Sequence, residues 1–359
     1  MPEPLKNLYS SELICSIADE VYQEYPSFNR TGFIKNVLTN NWEQLELKAR
    51  MRHVAVILSQ HLPSNYAHAI KILLPVSKKF TGLEHICFPE FVEEFGLDYF
   101  EESMNALEYF TSGSSSEFAI RPFILREPDR TMKQIENWSK SKCEHVRRLA
   151  SEGCRPRLPW AMALPEYKKD PTPVLNIIEK LIDDESLYVR RSVANNLNDI
   201  SKDNPLLVTE IAEKYLGKSD KINWTIKHAC RTLLKQGDKK VLSLFGYSNP
   251  KHLKITAFKV DKKVKIGERL NFEFRLNSSS QSLGKLRLEF IIDFVKANGK
   301  TAPKIFKISE GFYSESDRHV KKYFSFKPIT TRIYYPGEHK ITIVVNGVKL
   351  TNKYFLLKG

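Results

Sequence analysis

The hydrophobic pattern of the chain changes its period once, close to residue 250. Before that point apolar residues recur every three or four positions, as on one face of an α-helix. After it they alternate with polar residues in short runs bounded by turn residues, as in half-buried β-strands. The change predicts a helical domain over residues 1–250 and an all-β domain over residues 251–359.

A repeat is visible within the helical domain. Residues 188–197 (Tyr-Val-Arg-Arg-Ser-Val-Ala-Asn-Asn-Leu) line up with the run that starts at His145, 43 residues earlier, and Thr225 starts a further copy 37 residues later. Such spacings are typical of HEAT-type helix pairs, whose second helices stack into one concave face. We therefore expect an α-solenoid with capping helices over residues 1–110 and repeats over residues 111–250.

The second domain reads as a series of short strands. Alternating or aromatic-rich runs predict strands at residues 255–260, 269–276, 285–294, 321–326, 338–345 and 352–357. The pairs Asn298-Gly299 and Asn346-Gly347 predict tight turns between strands. About seven strands in roughly 105 residues are typical of an immunoglobulin-like sandwich. The expected fold class is therefore multidomain, a HEAT-like α-solenoid followed by an immunoglobulin-like β-sandwich.

Charge is distributed unevenly between the two domains. Residues 1–250 contain 33 basic and 33 acidic side chains, so the whole net charge of +14 lies in residues 251–359. A basic surplus in one domain favours a polyanionic partner such as DNA or RNA, because bound phosphates release their counterions. A lysine-rich surface kept for solubility is the alternative interpretation.

Several classes of function find no support in the sequence. No P-loop, dinucleotide-binding fingerprint, zinc-protease helix or serine nucleophile elbow is present. The five cysteines are scattered, which favours reduced thiols over structural zinc. The N-terminal segment 1–6 lacks the features of a signal peptide, and the longest apolar runs, such as residues 54–58, are too short to span a bilayer. We expect a cytoplasmic protein with no metal, no cofactor and no membrane partner.

The most informative segment is a helix end followed by a proline-stiffened loop. Within fourteen residues it combines four arginines, the carboxylate of Glu152 and the indole of Trp160, which two prolines precede. This mixture is typical of a surface that holds a phosphate backbone and does chemistry next to it. A tryptophan in such a loop suits packing against a deoxyribose or an exposed base.

The repeat register places basic side chains in a row. Arg148 and Arg191 match under the 43-residue shift, so their side chains are expected to line one face of the solenoid. The candidate phosphate contacts are Arg148, Arg155, Arg157, Arg191, Lys227 and Arg231. The alternative is that the Val-Arg-Arg runs form only the solvated face of a repeat helix.

Three motifs in this region carry a resemblance to a known family. Leu-Ala-Ser-Glu-Gly at 149–153, Arg-Pro-Arg-Leu-Pro-Trp at 155–160 and Ser-Glu-Phe-Ala-Ile-Arg-Pro-Phe at 116–123 resemble the AlkC branch of the HEAT-like-repeat alkylpurine DNA glycosylases. Residues 28–63 are similar to the family's N-terminal helices, and residues 335–347 to the end of its immunoglobulin-like domain. The resemblance implies release of cationic alkylated bases, such as 3-methyladenine and 3-methylcytosine, without drawing them into a deep pocket.

The resemblance also assigns a role to three carboxylates. Glu117 begins a predicted helix over residues 117–125, Glu152 lies at a helix end, and Asp199 closes an asparagine-rich run. A cationic base is a good leaving group, so the main barrier is the oxocarbenium-like sugar, which a facing carboxylate stabilises. With Trp160 as the aromatic contact, these are the candidate catalytic residues. The alternatives are an ordinary first-turn acid for Glu117 and a loop residue for Asp199.

The expected partner is double-stranded DNA containing alkylated bases, bound by a monomer associated with a bacterial-type nucleoid. The expected reaction belongs to base excision repair and needs no cofactor. The leading alternative is a non-catalytic solenoid that recognises damaged or branched DNA. A protein-binding HEAT adaptor is a third possibility, and it leaves the basic second domain unexplained.

Overall fold

The computed structural model describes residues 3–330 and 332–359. Met1 and Pro2, at the start of the segment considered for a signal peptide, lie outside the described residues. In the described part of the chain, no helix is long and apolar enough to cross a membrane. The same residues contain no group of His, Cys, Asp or Glu side chains arranged to hold a metal ion.

The chain forms two compact units. The first contains the residues up to Val208 together with Leu216–Ala229, and the second contains Thr209–Tyr215 with Cys230–Gly359. The second unit therefore starts before the change of hydrophobic period near residue 250, because the last two short helices belong to it.

The first unit is helical. Polar side chains fix several helix starts; those of Ser10, Asn29 and Asn65 accept hydrogen bonds from first-turn N–H groups. Its helices, with α13 continuing into the second unit, are α1 (Ser11–Glu24), α2 (Arg30–Val37), α3 (Leu47–His61), α4 (Tyr66–Ser77), α5 (Cys87–Phe95), α6 (Phe100–Phe110), α7 (Arg121–Arg126), α8 (Pro128–Trp138), α9 (Glu144–Gly153), α10 (Pro165–Lys169), α11 (Thr172–Leu181), α12 (Leu187–Ile200), α13 (Pro205–Tyr215) and α14 (Asp220–Ala229). Short 3-10 helices lie at Leu5–Leu8, Trp42–Gln44 and Gly82–Ile86.

The predicted repeat is visible in the packing of the first unit. Helix α12 packs between α9 and α14, so the aligned runs lie side by side. The first arginine of each Val-Arg-Arg run fastens its helix to the preceding loop. Arg147 donates to the carbonyls of Ser141 and Lys142, and Arg190 donates to those of Asp184 and Glu185. The second arginines differ, because Arg191 is exposed whereas the Arg148 side chain is only 16% exposed.

One predicted helix boundary is wrong. The helix expected over residues 117–125 begins only at Arg121, and Glu117 lies in the turn before it. The proline at position 122 explains the start, because its fixed φ and missing N–H suit the first turn of a helix. Glu117 is thus carried by a turn that packs against the solenoid, and it is not a first-turn acid of α7.

The second unit is a β-sandwich with two short helices. Its elements are α15 (Arg231–Gln236), α16 (Lys239–Leu244), β1 (Leu253–Val260), β2 (Lys263–Lys265), β3 (Arg269–Ser278), β4 (Gly284–Val295), β5 (Thr301–Tyr313), β6 (Asp317–Ser325), β7 (Gly337–Val345) and β8 (Val348–Lys358). One sheet has the order β1-β3-β6 and the other β2-β8-β7-β4-β5. All neighbours are antiparallel except β2 and β8. An apolar core rich in phenylalanine lies between the sheets.

Two strands, β2 and β5, were not predicted from the sequence. Strand β2 has three residues, too few for an alternation to be read. Strand β5 lies at the sheet edge, where β4 is its one partner within residues 3–330 and 332–359, and it contains Pro303 and Gly311. An edge strand tolerates these residues and needs no strict alternation, because one of its sides has no neighbouring strand.

The turn between β7 and β8 gives a prediction about stability. Asn346 and Gly347 both have positive φ, and a Cβ at Gly347 would lie 2.6 Å from the Leu242 side chain. Gly347→Ala is expected to lower the free energy of unfolding by about 1–2 kcal/mol through backbone strain alone, with a further loss from this crowding. Gly299→Ala is the matched control, since Gly299 has φ +74° and a Cβ added there would meet no heavy atom within 4 Å. Equal losses for the two variants in urea unfolding would contradict the packing argument.

Candidate functional site

An exposed tryptophan on a strained backbone marks the site. Residues 154–164, here called the Trp160 loop, connect α9 to α10. Trp160 has φ +66°, a conformation that bulky L-residues rarely adopt, and 61% of the residue is exposed. Backbone strain and an exposed indole both cost free energy, so their combination is a feature of functional surfaces.

A buried arginine holds the Trp160 loop from beneath. Arg121 of α7 is fully buried, and its guanidinium donates to the carbonyls of Met162 at 2.7 Å and of Gly153 and Arg155 at 2.9 Å. Burial lowers the pKa of Arg121 to about 10, so the group stays charged at neutral pH. One guanidinium thus ties both ends of the loop together.

A second cation holds the loop at the tryptophan itself. Lys48 of α3 donates from Nζ to the Trp160 carbonyl at 2.9 Å. The same Nζ lies 4.8 Å from the centre of the Phe118 ring. The Trp160 loop is therefore held by side chains from two helices, Arg121 of α7 and Lys48 of α3.

Two of the predicted carboxylates lie against one buried arginine. Arg155 is only 7% exposed, and its guanidinium binds Glu152 and, at 2.9 Å, Asp199. Lys202 binds the other oxygen of Asp199 at 2.9 Å. Ser192 contacts Glu152 at 2.6 Å through its hydroxyl. Each of these buried acids therefore has a cationic partner, as buried carboxylates usually do.

The third predicted carboxylate is paired with the predicted phosphate contact of α9. The Glu117 oxygens lie 3.3 and 3.4 Å from the Arg148 guanidinium, which also donates to Ser115 at 2.7 Å. Arg148 packs over the Tyr188 ring and lies 3.9 Å from Glu152. Burial raises the pKa of Glu117; Arg148 opposes this shift and the negative charge of Glu152 adds to it.

The structure brings the three acids into one cluster. Its charges alternate through successive contacts in the order Glu117, Arg148, Glu152, Arg155, Asp199, Lys202. The loop that presents Trp160 starts directly after α9, which carries Arg148 and Glu152. The indole and the carboxylates are therefore presented by the same stretch of the solenoid.

The predicted cations have different surroundings. Arg157 is partly exposed and binds Asp203 with both guanidinium arms, at 2.9 and 2.6 Å. Arg191 and Lys227 are exposed, and Arg231 is partly buried. Arg155 differs from the prediction, because its buried guanidinium is directed at carboxylates and away from solvent.

Sequence reasoning did not identify Arg121 or Lys48 as functional. Arg121 belongs to the motif at residues 116–123. Its position directly before Pro122, at the start of a helix, was the one sequence feature that could have drawn attention to it. No local signal marks Lys48, because its partner Trp160 is 112 residues away in the sequence.

Comparisons with known proteins agree with this architecture. Residues 100–233 match the family described as DNA alkylation repair enzyme, and residues 254–359 match the C-terminal Ig-like domain of the YhaZ family. The protein YhaZ of Bacillus subtilis is 47% identical over 345 residues, 96% of each chain. The structure of the alkylpurine DNA glycosylase AlkC of Pseudomonas fluorescens, bound to DNA containing an abasic site analog, is 36% identical. The match covers 99% of this chain and 100% of that one, with a TM-score of 0.96. The chain belongs to the AlkC family of alkylpurine DNA glycosylases, in the form that carries a C-terminal immunoglobulin-like domain.

Proposed function

We propose that the protein is a DNA glycosylase of base excision repair that releases cationic N-alkylated bases, such as 3-methyladenine and 3-methylcytosine, from double-stranded DNA. The observation that carries this proposal is the presentation of paired, buried carboxylates and an exposed, strained Trp160 by one stretch of the solenoid. The full-length similarity to an alkylpurine DNA glycosylase bound to DNA with an abasic site analog supports the same reaction.

The reaction breaks the bond between C1′ of the deoxyribose and a nitrogen of the base. An N-alkylated base is already positively charged, so it departs as a neutral molecule when it keeps the electron pair of the bond. The sugar becomes oxocarbenium-like, captures a water at C1′ and releases a proton. A carboxylate facing the sugar stabilises this charge more in the transition state than in the ground state.

We assign the stabilising charge to Glu117, Glu152 and Asp199. Glu117 has the most exposed side chain of the three, 12% against 7% and 3%, and so meets a bound nucleotide first. Arg155 acts here as a positioning residue, because it binds two of the acids and holds them in place. The paired cations also reduce the repulsion between the acids and the DNA phosphates.

Trp160 is assigned to the deoxyribose or an exposed base next to the lesion, where a rigid aromatic face replaces a deep pocket. The proposed phosphate contacts are Arg148, Arg157, Arg191, Lys227 and Arg231. The basic residues of the C-terminal domain add to the electrostatic attraction of DNA.

Removing a carboxylate tests the catalytic assignment. Asp199→Asn and Glu117→Gln are expected to slow single-turnover release of 3-methyladenine by about 100-fold or more, because each removes a charge aimed at the developing cation. Duplex affinity should stay equal or become slightly tighter, since a charge that repels phosphate is lost. Glu166→Gln, on an exposed acid of α10, serves as the control. Full release rates in both site variants would favour a binding protein without catalytic activity.

The raised pKa of Glu117 gives this reaction a pH dependence. Glu117 must be ionised to stabilise the sugar, so release should fall as the pH drops through the raised pKa of this carboxyl. The fall should begin at a higher pH than an ordinary glutamate would give. If the release rate of Glu117→Gln falls at low pH in the same way as that of the unmodified protein, another group causes this fall.

Selectivity follows from the leaving group. In the proposed reaction the glycosidic bond breaks before the base enters any cavity, so release depends on the positive charge of the lesion, which weakens this bond. Duplexes containing uracil, hypoxanthine or 8-oxoguanine should remain intact under conditions that fully release 3-methyladenine. Comparable release of any of these neutral bases, measured by strand cleavage at the abasic site, would require a different mechanism.

The Arg121 clamp should control the presentation of Trp160. Arg121→Lys keeps the charge and cannot reach three carbonyls, so the Trp160 loop should loosen and base release should fall by about 100-fold. The fluorescence change of Trp160 on binding abasic DNA, isolated by comparison with Trp160→Phe, should shrink in parallel. Arg126→Lys, on the exposed side of the same helix, is the matched control. A full Trp160 signal together with slow release would assign Arg121 a role other than loop positioning.

A further inference from the structure

A cavity with charged and apolar walls adjoins the Trp160 loop. It has a volume of about 370 Å³ and is lined by Lys48, Ala49, Arg52, Glu90, Glu93, Phe118, Ala161 and Met162. Phe118 directly follows the proposed catalytic Glu117, and Ala161 directly follows Trp160. The cavity therefore lies next to the place where the damaged nucleotide is proposed to bind, and it has the size of a small-molecule site.

One wall of the cavity carries a carboxylate with an unused acceptor. The Glu93 side chain is 10% exposed, and its Oε1 accepts from Arg52 at 2.8 Å. Its Oε2 is buried and has no hydrogen-bond partner among the residues that the structure describes. Arg52 also binds the buried Glu90 at 2.7 Å. Buried acceptors are normally satisfied, so Glu93 calls for a donor that the protein itself does not supply.

The remaining walls suit a flat ligand. Phe118, Ala49, Ala161 and Met162 supply apolar surface, and Met162 supplies a thioether that packs well on rings. Lys48 places N–H donors beside the Phe118 ring. Two basic and two acidic side chains line the cavity. Burial raises the pKa of Glu93 to about 7, so the four charges balance above this pH and favour a neutral ligand with both donors and acceptors.

We propose that this cavity binds the free, neutral, amino-bearing nucleobase after it leaves the sugar. The inference rests on the proposed function, in which the alkylated base departs with the bonding electron pair and so loses its positive charge. The exocyclic amino group of the base donates to Glu93, and the ring packs on Phe118 and Met162. A base that offers a carbonyl oxygen in place of the amino group meets a carboxylate and is disfavoured.

Binding of the free base to the DNA-free, full-length protein tests this site directly. The probe is 3-methyladenine, titrated at pH 8 against protein labelled with ¹³C in its methionine methyl groups; Met162→Leu identifies the Met162 signal. A saturable shift of Met162 with 3-methyladenine and none with uracil is the expected result. No shift with 3-methyladenine, or an equal shift with uracil, would overturn the proposal.

Variants locate the binding within the cavity. Glu93→Gln is expected to weaken binding at least tenfold, whereas Glu94→Gln should leave it unchanged, because Glu94 also contacts Arg52 and does not line the cavity. Ala49→Phe fills the cavity from an exposed position of α3 and should abolish the Met162 shift without removing any hydrogen bond. Unaltered binding in Glu93→Gln or Ala49→Phe would place the base elsewhere.

Separate measurements can contradict the proposed glycosylase reaction and the proposed base-binding cavity. Base release by the unmodified protein from a duplex containing 3-methyladenine reports on the glycosylase reaction, whether or not the free base binds. The Met162 shift reports on the cavity, whether or not the duplex is cleaved. If both proposals hold, added 3-methyladenine should slow multiple-turnover release, and Glu93→Gln should relieve this inhibition at least tenfold.

Discussion

The alternation of charge through the carboxylate cluster is the interaction on which the proposed site depends. Each acid contacts a cation, in the order Glu117, Arg148, Glu152, Arg155, Asp199, Lys202. A buried carboxylate without such a partner would take up a proton and lose its electrostatic value. In the proposed reaction, charge stabilisation of the sugar therefore depends on the arginines, even where they touch no DNA. This role accounts for the burial of Arg155, which the sequence suggested as a phosphate contact.

The solenoid produces this alternation from its repeat geometry. Arg148 and Glu152 are four residues apart on α9, so they lie on one face of that helix. Helix α12 packs beside α9 and brings Asp199 to the same place. The loop after α9 then carries Trp160, and Arg121 fixes that loop through three carbonyls. The presentation of the indole thus depends on Arg121 of α7 and Lys48 of α3. The pairing of the acids depends on α9, α12 and the turn before α7.

The sequence predicts the order of domains, the repeat and most strands, because these depend on local periodicity. It also predicts that Glu117, Glu152, Asp199 and Trp160 matter, and the structure draws the three acids together. It does not predict the burial of Arg155 or the clamp formed by Arg121, because both depend on partners more than thirty residues away in the chain. The local hydrophobic pattern likewise places the start of α7 too early, at Glu117. The helix begins at Arg121, because Pro122 favours the first turn of a helix.

The most direct test of the account is chemical. Two duplexes of identical sequence are incubated with the unmodified protein, one carrying a single 3-methyladenine and the other adenine at the same position. Abasic sites are then revealed by strand cleavage and quantified against time. A glycosylase specific for cationic bases should produce an abasic site at the lesion in the first duplex and none in the second. An intact glycosidic bond at 3-methyladenine, with the duplex demonstrably bound, would contradict the proposed glycosylase reaction.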